Sequence, residues 1–312
     1  MSGGIFWLPP EASDVAARVD ALFFAMVALT GTVALAITVV MLVFAVRYRR
    51  GSRADRSRAP AQKLPVELAW TLAPLAIFLG VFVWGAAVYA GFYRPAADAM
   101  PVYIVGKQWM WKAEHANGRR EIGELHLPLG QPVRLVLATQ DAIHSFYVPA
   151  FRIKQDAVPG RYTTIAFTPT KVGTFDLRCA EYCGTDHAHM GGRVIVMRPA
   201  DFQRWLAEGA PAGTMAARGF ARFRELGCSG CHDPRSSVHA PDLAGLYGRT
   251  VHLADGRSVL ADEAYLRDSI LLPKRDVVAG FDPIMPSFQG QVDEDDLLDL
   301  IAYIKSTKRD GG

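Results

Sequence analysis

The sequence predicts a multidomain chain of three successive folds: a two-helix membrane hairpin, an all-β domain and an all-α domain. Three observations carry this reading. Two long uncharged apolar runs stand near the N-terminus, short alternating segments broken by Pro and Gly fill the middle, and the last third carries helical caps and periodicity. At 312 residues the chain has room for two or three small domains. Hydrophobic residues make up 50% and charged residues 21%, a balance that excludes a disordered or polar low-complexity protein. A net charge of +3 is too small to argue for a nucleic-acid partner, and 4 cysteines are too few for a disulfide scaffold at this length.

Residues 1–19 form an N-terminal segment ahead of the hairpin, residues 20–94. Ala21 to Val46 and Leu68 to Tyr93 are runs of 26 residues without a charge. Each reaches about 39 Å as a helix, enough to cross a hydrocarbon layer of about 30 Å with some tilt. Both are too long for a buried core helix, and no small-residue cleavage site follows the first. Pro74 interrupts the second run, which partner helices in a membrane tolerate. Trp84, Tyr89, Phe92 and Tyr93 load its far end with interfacial aromatics. The connecting loop carries Arg47, Arg49, Arg50, Arg53, Arg56, Arg58 and Lys63 against Asp55. The positive-inside rule therefore places the loop in the cytoplasm of a bacterial cell membrane, with both termini on the periplasmic side.

Residues 95–200 read as β. Alternating apolar segments occur at Val102–Val105, Val133–Leu137, Thr163–Phe167 and Arg193–Met197, which suits a sandwich or barrel of about 100 residues. Residues 201–213 form a linker, rich in small residues from Ala207 to Gly213. Residues 214–312 turn helical, with segments Met215–Leu226, Asp262–Leu271 and Asp293–Ser306. Asp293 takes the N-cap of the last, and Lys305, Lys308 and Arg309 complement its C-terminal dipole. There is no internal repeat.

The densest chemistry lies at Cys179, Cys183, His187 and Met190, with His144 upstream. Thiolate, imidazole and a weak thioether on a β scaffold are the ligand set of a copper site. Two cysteines four apart can bridge two copper ions with one histidine on each, which predicts the binuclear mixed-valence CuA centre. A disulfide is the competing reading, since the compartment is oxidising; His187 and Met190 at fixed offsets favour the metal. His189 stands between two ligands in sequence and reads as a bystander, and His115 and His126 as ordinary strand or surface histidines. Further on, Cys228-Ser-Gly-Cys231-His232 is the covalent c-type haem signature, with His232 as axial ligand. Met285, in a loop before Pro286 and the final helix, is the expected sixth ligand. Pro241 is expected to pack on His232, and Tyr303 to close the core.

The Cys179–Met190 pattern, the segments around His144 and from Lys154 to Arg161, and Gln108-Trp-Met-Trp111 resemble cytochrome c oxidase subunit II over roughly residues 5–200. The stretch 214–312 resembles a class I cytochrome c. Together they resemble the caa-type subunit II: a transmembrane hairpin, a CuA cupredoxin domain and a tethered cytochrome. The resemblance implies that Cys179 and Cys183 bridge the coppers, that His144 and His187 terminate them, and that Met190 and the Glu181 carbonyl are weak axial ligands. It implies that the Glu181 side chain reaches a magnesium shared with subunit I. It makes Trp109 the electron-input aromatic, with Trp111 as rival, although Lys107 stands where the family often has histidine. Glu67, at the cytoplasmic start of the second span, reads either as a dipole-satisfied surface carboxylate or, by the resemblance, as a proton-uptake residue. The implied partners are subunit I and other oxidase subunits, with a soluble or membrane cytochrome c as donor. Oxygen reduction and proton pumping would lie in subunit I. The alternative is the same module serving a haem-copper nitric oxide reductase. A quinol oxidase subunit is disfavoured by the copper ligands, and a stand-alone copper carrier by the two spans.

Charge adds one expectation. From Arg94 to Arg198 there are 13 Lys/Arg against 9 Asp/Glu, and from Pro199 to Gly312 13 against 17. The cytochrome part is thus expected to dock electrostatically on the copper part, at Lys107 beside Trp109, while Asp293, Glu294, Asp295 and Asp296 serve to cap the last helix.

Overall fold

The computed structural model describes residues 8–55, 63–208, 213–234, 236 and 238–307. Arg56, Arg58, the middle of the expected linker, Lys308 and Arg309 lie outside the described residues.

Helices α1 (Asp14–Arg47) and α2 (Leu64–Gly91) form the hairpin, about 51 Å and 42 Å long at 1.5 Å per residue. Their apolar side chains face outward, Phe78 and Phe82 each at 70% exposure, as lipid-facing residues do. Pro74 sits inside α2 without ending it. The first turns of α1 are a different environment. Ser13 caps the helix by accepting from the Ala16 amide and donates its hydroxyl to the Phe151 carbonyl. Buried Asp20 takes a bidentate pair from Arg152 at 2.8 and 2.9 Å, so the hairpin is riveted to the β domain at one end.

Ten strands follow: β1 (Met100–Lys107), β2 (Met110–His115), β3 (Arg120–Ile122), β4 (Glu124–Pro128), β5 (Val133–Thr139), β6 (His144–Val148), β7 (Ile153–Ala157), β8 (Thr163–Phe167), β9 (Gly173–Cys179) and β10 (Gly191–Met197). They make two five-stranded sheets, β3-β2-β1-β5-β8 and β4-β10-β9-β6-β7, with β1–β5 and β4–β10 parallel. The sheets close on a shared core of Ile104, Trp111, Leu135, Phe146, Phe151 and Leu177, giving a cupredoxin-like sandwich. Strand alternation sends Tyr103 and Val105 to the opposite face of the first sheet. Residues 201–208, expected as linker, instead complete α3 (Pro199–Glu208), whose Phe202 is fully buried and whose Trp205 covers β4.

The last third holds α4 (Met215–Glu225), α5 (Ser229–His232), the hairpin β11 (Thr250–His252) and β12 (Ser258–Leu260), α6 (Glu263–Leu271) and α7 (Glu294–Ser306). Helices α4 and α7 cross at Gly219, where a Cβ would stand 1.9 Å from the Asp299 carbonyl oxygen. Tyr303 packs on Phe220 and Phe223 there, as expected.

The two domains touch through the outer face of the first sheet. Met215 and Leu298 bury against Tyr103, Val105 and Val136. Around this apolar patch, Arg218 bridges Glu114 and Asp299, Arg120 reaches the same two carboxylates, Lys112 pairs with Asp295 at 2.8 Å, and Arg134 pairs with Glu263 at 2.9 Å. The contact is thus electrostatic, but it lies at Lys112, Arg120 and Arg134 rather than at Lys107, which is exposed. Of the acidic run on α7, Asp293 caps the helix, whereas Asp295 meets the copper domain and Asp296 pairs with Arg222.

Candidate metal and haem centres

The copper candidates meet at one end of the sandwich. His144 opens β6, Cys179 closes β9, and the loop 180–190 returns through a 3-10 turn at His187–His189 into β10. Backbone hydrogen bonds hold the loop: Cys179 to the Met190 carbonyl, Ala180 to the Ser145 carbonyl, and His187 to the Gly184 carbonyl. Gln108 and the Trp109 indole both donate to the Cys183 carbonyl, at 2.8 and 3.2 Å. Gly184 is at φ +120 with the Trp109 ring against it, so a side chain there would be both strained and blocked.

Donor atoms converge. The Cys179 and Cys183 sulfurs are 3.8 Å apart, and both cysteines are free thiols, not a disulfide. From the Cys183 sulfur, His187 Nδ1 lies at 3.5 Å and the Met190 sulfur at 3.7 Å. The Glu181 carbonyl is 3.3 Å from the Cys179 sulfur, while its side chain is exposed. His144 is fully buried; its Nε2 is fixed by Asp141 at 2.8 Å, and its Nδ1 has no hydrogen-bond partner. A buried orphan nitrogen beside two thiols is the observation that fits a metal, because burying it unpaired otherwise costs about 1–3 kcal/mol. Electrostatics favour one thiolate at once. Burial raises the Cys179 thiol, but the adjacent His144 ring and backbone hydrogen bonds bring it down to about 6. Cys183 is pushed up to about 12 by burial and by its neighbour's charge. A dication would draw off the second proton.

The two tryptophans do not share a strand face. Trp109 lies in the turn between β1 and β2, partly exposed on the Cys183 loop, while Trp111 is buried edge-on to His144 at 5.9 Å between ring centres. His189 is exposed and bonded to Asp186. Glu67 lies in the first turn of α2, its amide bonded to the Lys63 carbonyl.

The haem candidates line a mostly apolar cavity of about 660 Å³ that includes Cys228, Cys231, His232, Pro241 and Met285. His232 Nδ1 donates to the Pro241 carbonyl at 3.0 Å, which fixes the ring and leaves Nε2 free to ligate. A haem attached at the two cysteines fits this donor set. His239, stacked on Phe281 at 4.6 Å, also lines the cavity; no spacing rule singled it out.

His115 and His126 are not isolated, against the sequence reading. β2 and β4 bring both onto Glu121, His115 Nε2 at 2.9 Å and His126 Nδ1 at 2.5 Å. Burial opposes ionisation of Glu121, but these hydrogen bonds hold its carboxyl at about 2.

Comparison with known proteins finds relatives for both regions. The family model for the periplasmic domain of cytochrome c oxidase subunit II matches residues 122–198, and the cytochrome c model matches residues 216–308. A cytochrome c oxidase subunit 2 of Thermostichus vulcanus is 32% identical over 252 residues, covering 64% of this chain and 77% of the relative. One from Alkalihalophilus pseudofirmus is 29% identical over 299 residues, covering 88% and 83%. Among solved structures, the periplasmic domain of oxidase subunit II of Bradyrhizobium japonicum shows 27% identity and a TM-score of 0.36, covering 37% of this chain and 96% of that one.

Proposed function

The chain belongs to the cytochrome c oxidase subunit II family, and from that premise we propose that it is the electron-input subunit of a caa-type terminal respiratory oxidase. The observation that carries the reading is the convergence of Cys179, Cys183, His187, Met190 and His144 beside a second, covalently haem-binding domain on the same chain. Bound there, the copper pair and the haem supply one-electron redox chemistry. The protein's own part is positioning. Asp141 sets the His144 ring, Gln108 and Trp109 tie down the Cys183 loop, and the close-packed sandwich would hold the donor atoms in place as the metals change charge. In the cytochrome domain, Pro241 aims His232, and His232 and Met285 would hold the haem iron between them, a donor pair that would favour the reduced state.

The donor is a cytochrome c, Trp109 receives electrons from outside, and subunit I holds the oxygen-reducing and proton-pumping machinery. The Glu181 side chain, exposed beside the copper loop, is free to reach a magnesium at the junction with subunit I. Glu67 takes up protons at the cytoplasmic side. The hairpin anchors both domains on the periplasmic face of the cell membrane. The test is turnover by the purified complex with a reduced cytochrome donor: oxygen consumption is expected, and turnover of nitric oxide in place of oxygen would move the chain to the reductase alternative.

A further inference from the structure

We propose that His126, Glu124 and Glu121 form a second metal site, mononuclear and taking a divalent first-row cation of the zinc type. Glu124 and His126 are alternate residues of β4, so they stand on one face of the strand while Leu125 and Leu127 enter the core. Gly123, at φ +68, turns the chain between β3 and β4 and brings Glu121 back beside them. The donor atoms of the three residues all lie within 4.8 Å of one another. Zinc at about 2.1 Å from each ligand needs donors roughly 3.4 Å apart, within reach of small side-chain rotations. Imidazole with two carboxylates and no thiolate suits zinc, cobalt or manganese rather than cuprous copper.

The surroundings are those of a held ligand set. The Glu121 side chain is 7% exposed, with the His126 amide donating to it at 3.1 Å. Because His115 Nδ1 is buried without a partner, its proton belongs on Nε2, where it orients Glu121 at 2.9 Å as a positioning residue. Trp205 of α3 stacks on His126 at 4.3 Å between ring centres, and the Arg119 guanidinium lies over the Trp205 ring at 3.6 Å. One side remains open: Glu124 is 38% exposed and pairs with Arg193 at 2.7 Å, the cation that an incoming metal would replace. The site would clip the β3–β4 turn at the place where α3 leaves for the cytochrome domain.

The experiment is equilibrium dialysis of the holoprotein, loaded with copper and haem, against zinc, with cobalt as a spectroscopic probe. One saturable equivalent at micromolar zinc is expected, with cobalt giving visible bands of a nitrogen and oxygen site. Glu124→Gln, conservative and at the surface, should abolish it, as should His126→Ala; His115→Gln should weaken it about 10–100-fold. His189→Ala is the control for exposed histidine and should change nothing. Unaltered copper resonance and haem spectrum in each variant exclude misfolding. Absence of saturable zinc in the unmodified protein, or binding that survives both Glu124→Gln and His126→Ala, overturns the site.

Discussion

The copper loop and the haem cavity solve the same problem, holding a redox metal, by opposite means. At the copper end the candidate ligands come from two separate stretches, His144 and the run from Cys179 to Met190, and the strand ends of a tightly packed sandwich bring them together. The haem end draws its attachment points from one contiguous turn, Cys228 to His232, beside a cavity shaped for a large apolar disc. Copper specificity is therefore written in tertiary structure, and haem specificity in a local motif plus volume. The difference teaches where each centre is vulnerable: the first to loss of a single donor, the second to loss of the ligand that tunes it.

The largest effect should come from the cysteines. Cys179→Ser or Cys183→Ser leaves one thiolate, which cannot bridge two ions, so the multi-line copper resonance of a delocalised pair should vanish while the haem spectrum stays. Retention of that resonance would mean that the two cysteines do not bridge a copper pair. Next, Met285→Ala should keep covalent haem but lower its potential by a sizeable part of the roughly 0.8 V range that axial ligands command. Redox titration checks this, and copper resonance should not respond. An unchanged potential would show that another residue ligates the iron.

A third prediction concerns what joins the two regions. Glu114 and Asp299 are 7% and 6% exposed; Arg218 pairs with Asp299 within its own domain and with Glu114 across the domain boundary. Burial raises both carboxyls above the usual carboxylate range, which shows how little solvent compensates them. Arg218→Ala should therefore weaken docking by about 3 kcal/mol, near the lower end for breaking a buried pair. Faster hydrogen exchange along β1 and α7 is the expected readout, and unchanged protection would assign the docking to Met215 and Leu298 alone.

Legibility in the sequence followed the same divide. The membrane runs and the haem signature are local patterns, so periodicity and spacing located them to within a few residues. The copper set was legible because four of its members sit within twelve residues, and the fifth came with a flanking motif. Six strands of the sandwich escaped, β2, β3, β4, β6, β7 and β9, as did the short hairpin β11–β12. β3 and β4 are short, and β6 and β9 carry ligand or charged residues that blur alternation. α3 was hidden by small residues that follow it, although Phe202 and Trp205, three apart, mark one helical face. Glu121, Glu124 and His126 stand within six residues, but that they share one face with His115 was beyond reach because β2 joins them only through tertiary structure. Docking sign was legible from charge counts, but its location was not, since a count carries no geometry.

The smallest effect separates location from sign. Lys112 and Asp295 are each 26% exposed and 2.8 Å apart, so their pair resembles a surface ion pair worth about 0–1 kcal/mol. Lys112→Glu replaces attraction by repulsion at that spot and should loosen docking by about 1 kcal/mol, roughly fivefold in the docked-to-open ratio. Lys107→Glu makes the same change in net charge but lies at the copper-loop end of β1, where the side chain is exposed. If long-range charge governed docking, both reversals would act alike, and both effects would fade as salt shortens the screening length to about 10 Å at 0.1 M. If the contact face described here governs it, only Lys112→Glu should raise exchange in α7, and raising salt should reproduce its effect without adding to it. Equal responses from the two variants would return the docking site to the neighbourhood of Trp109.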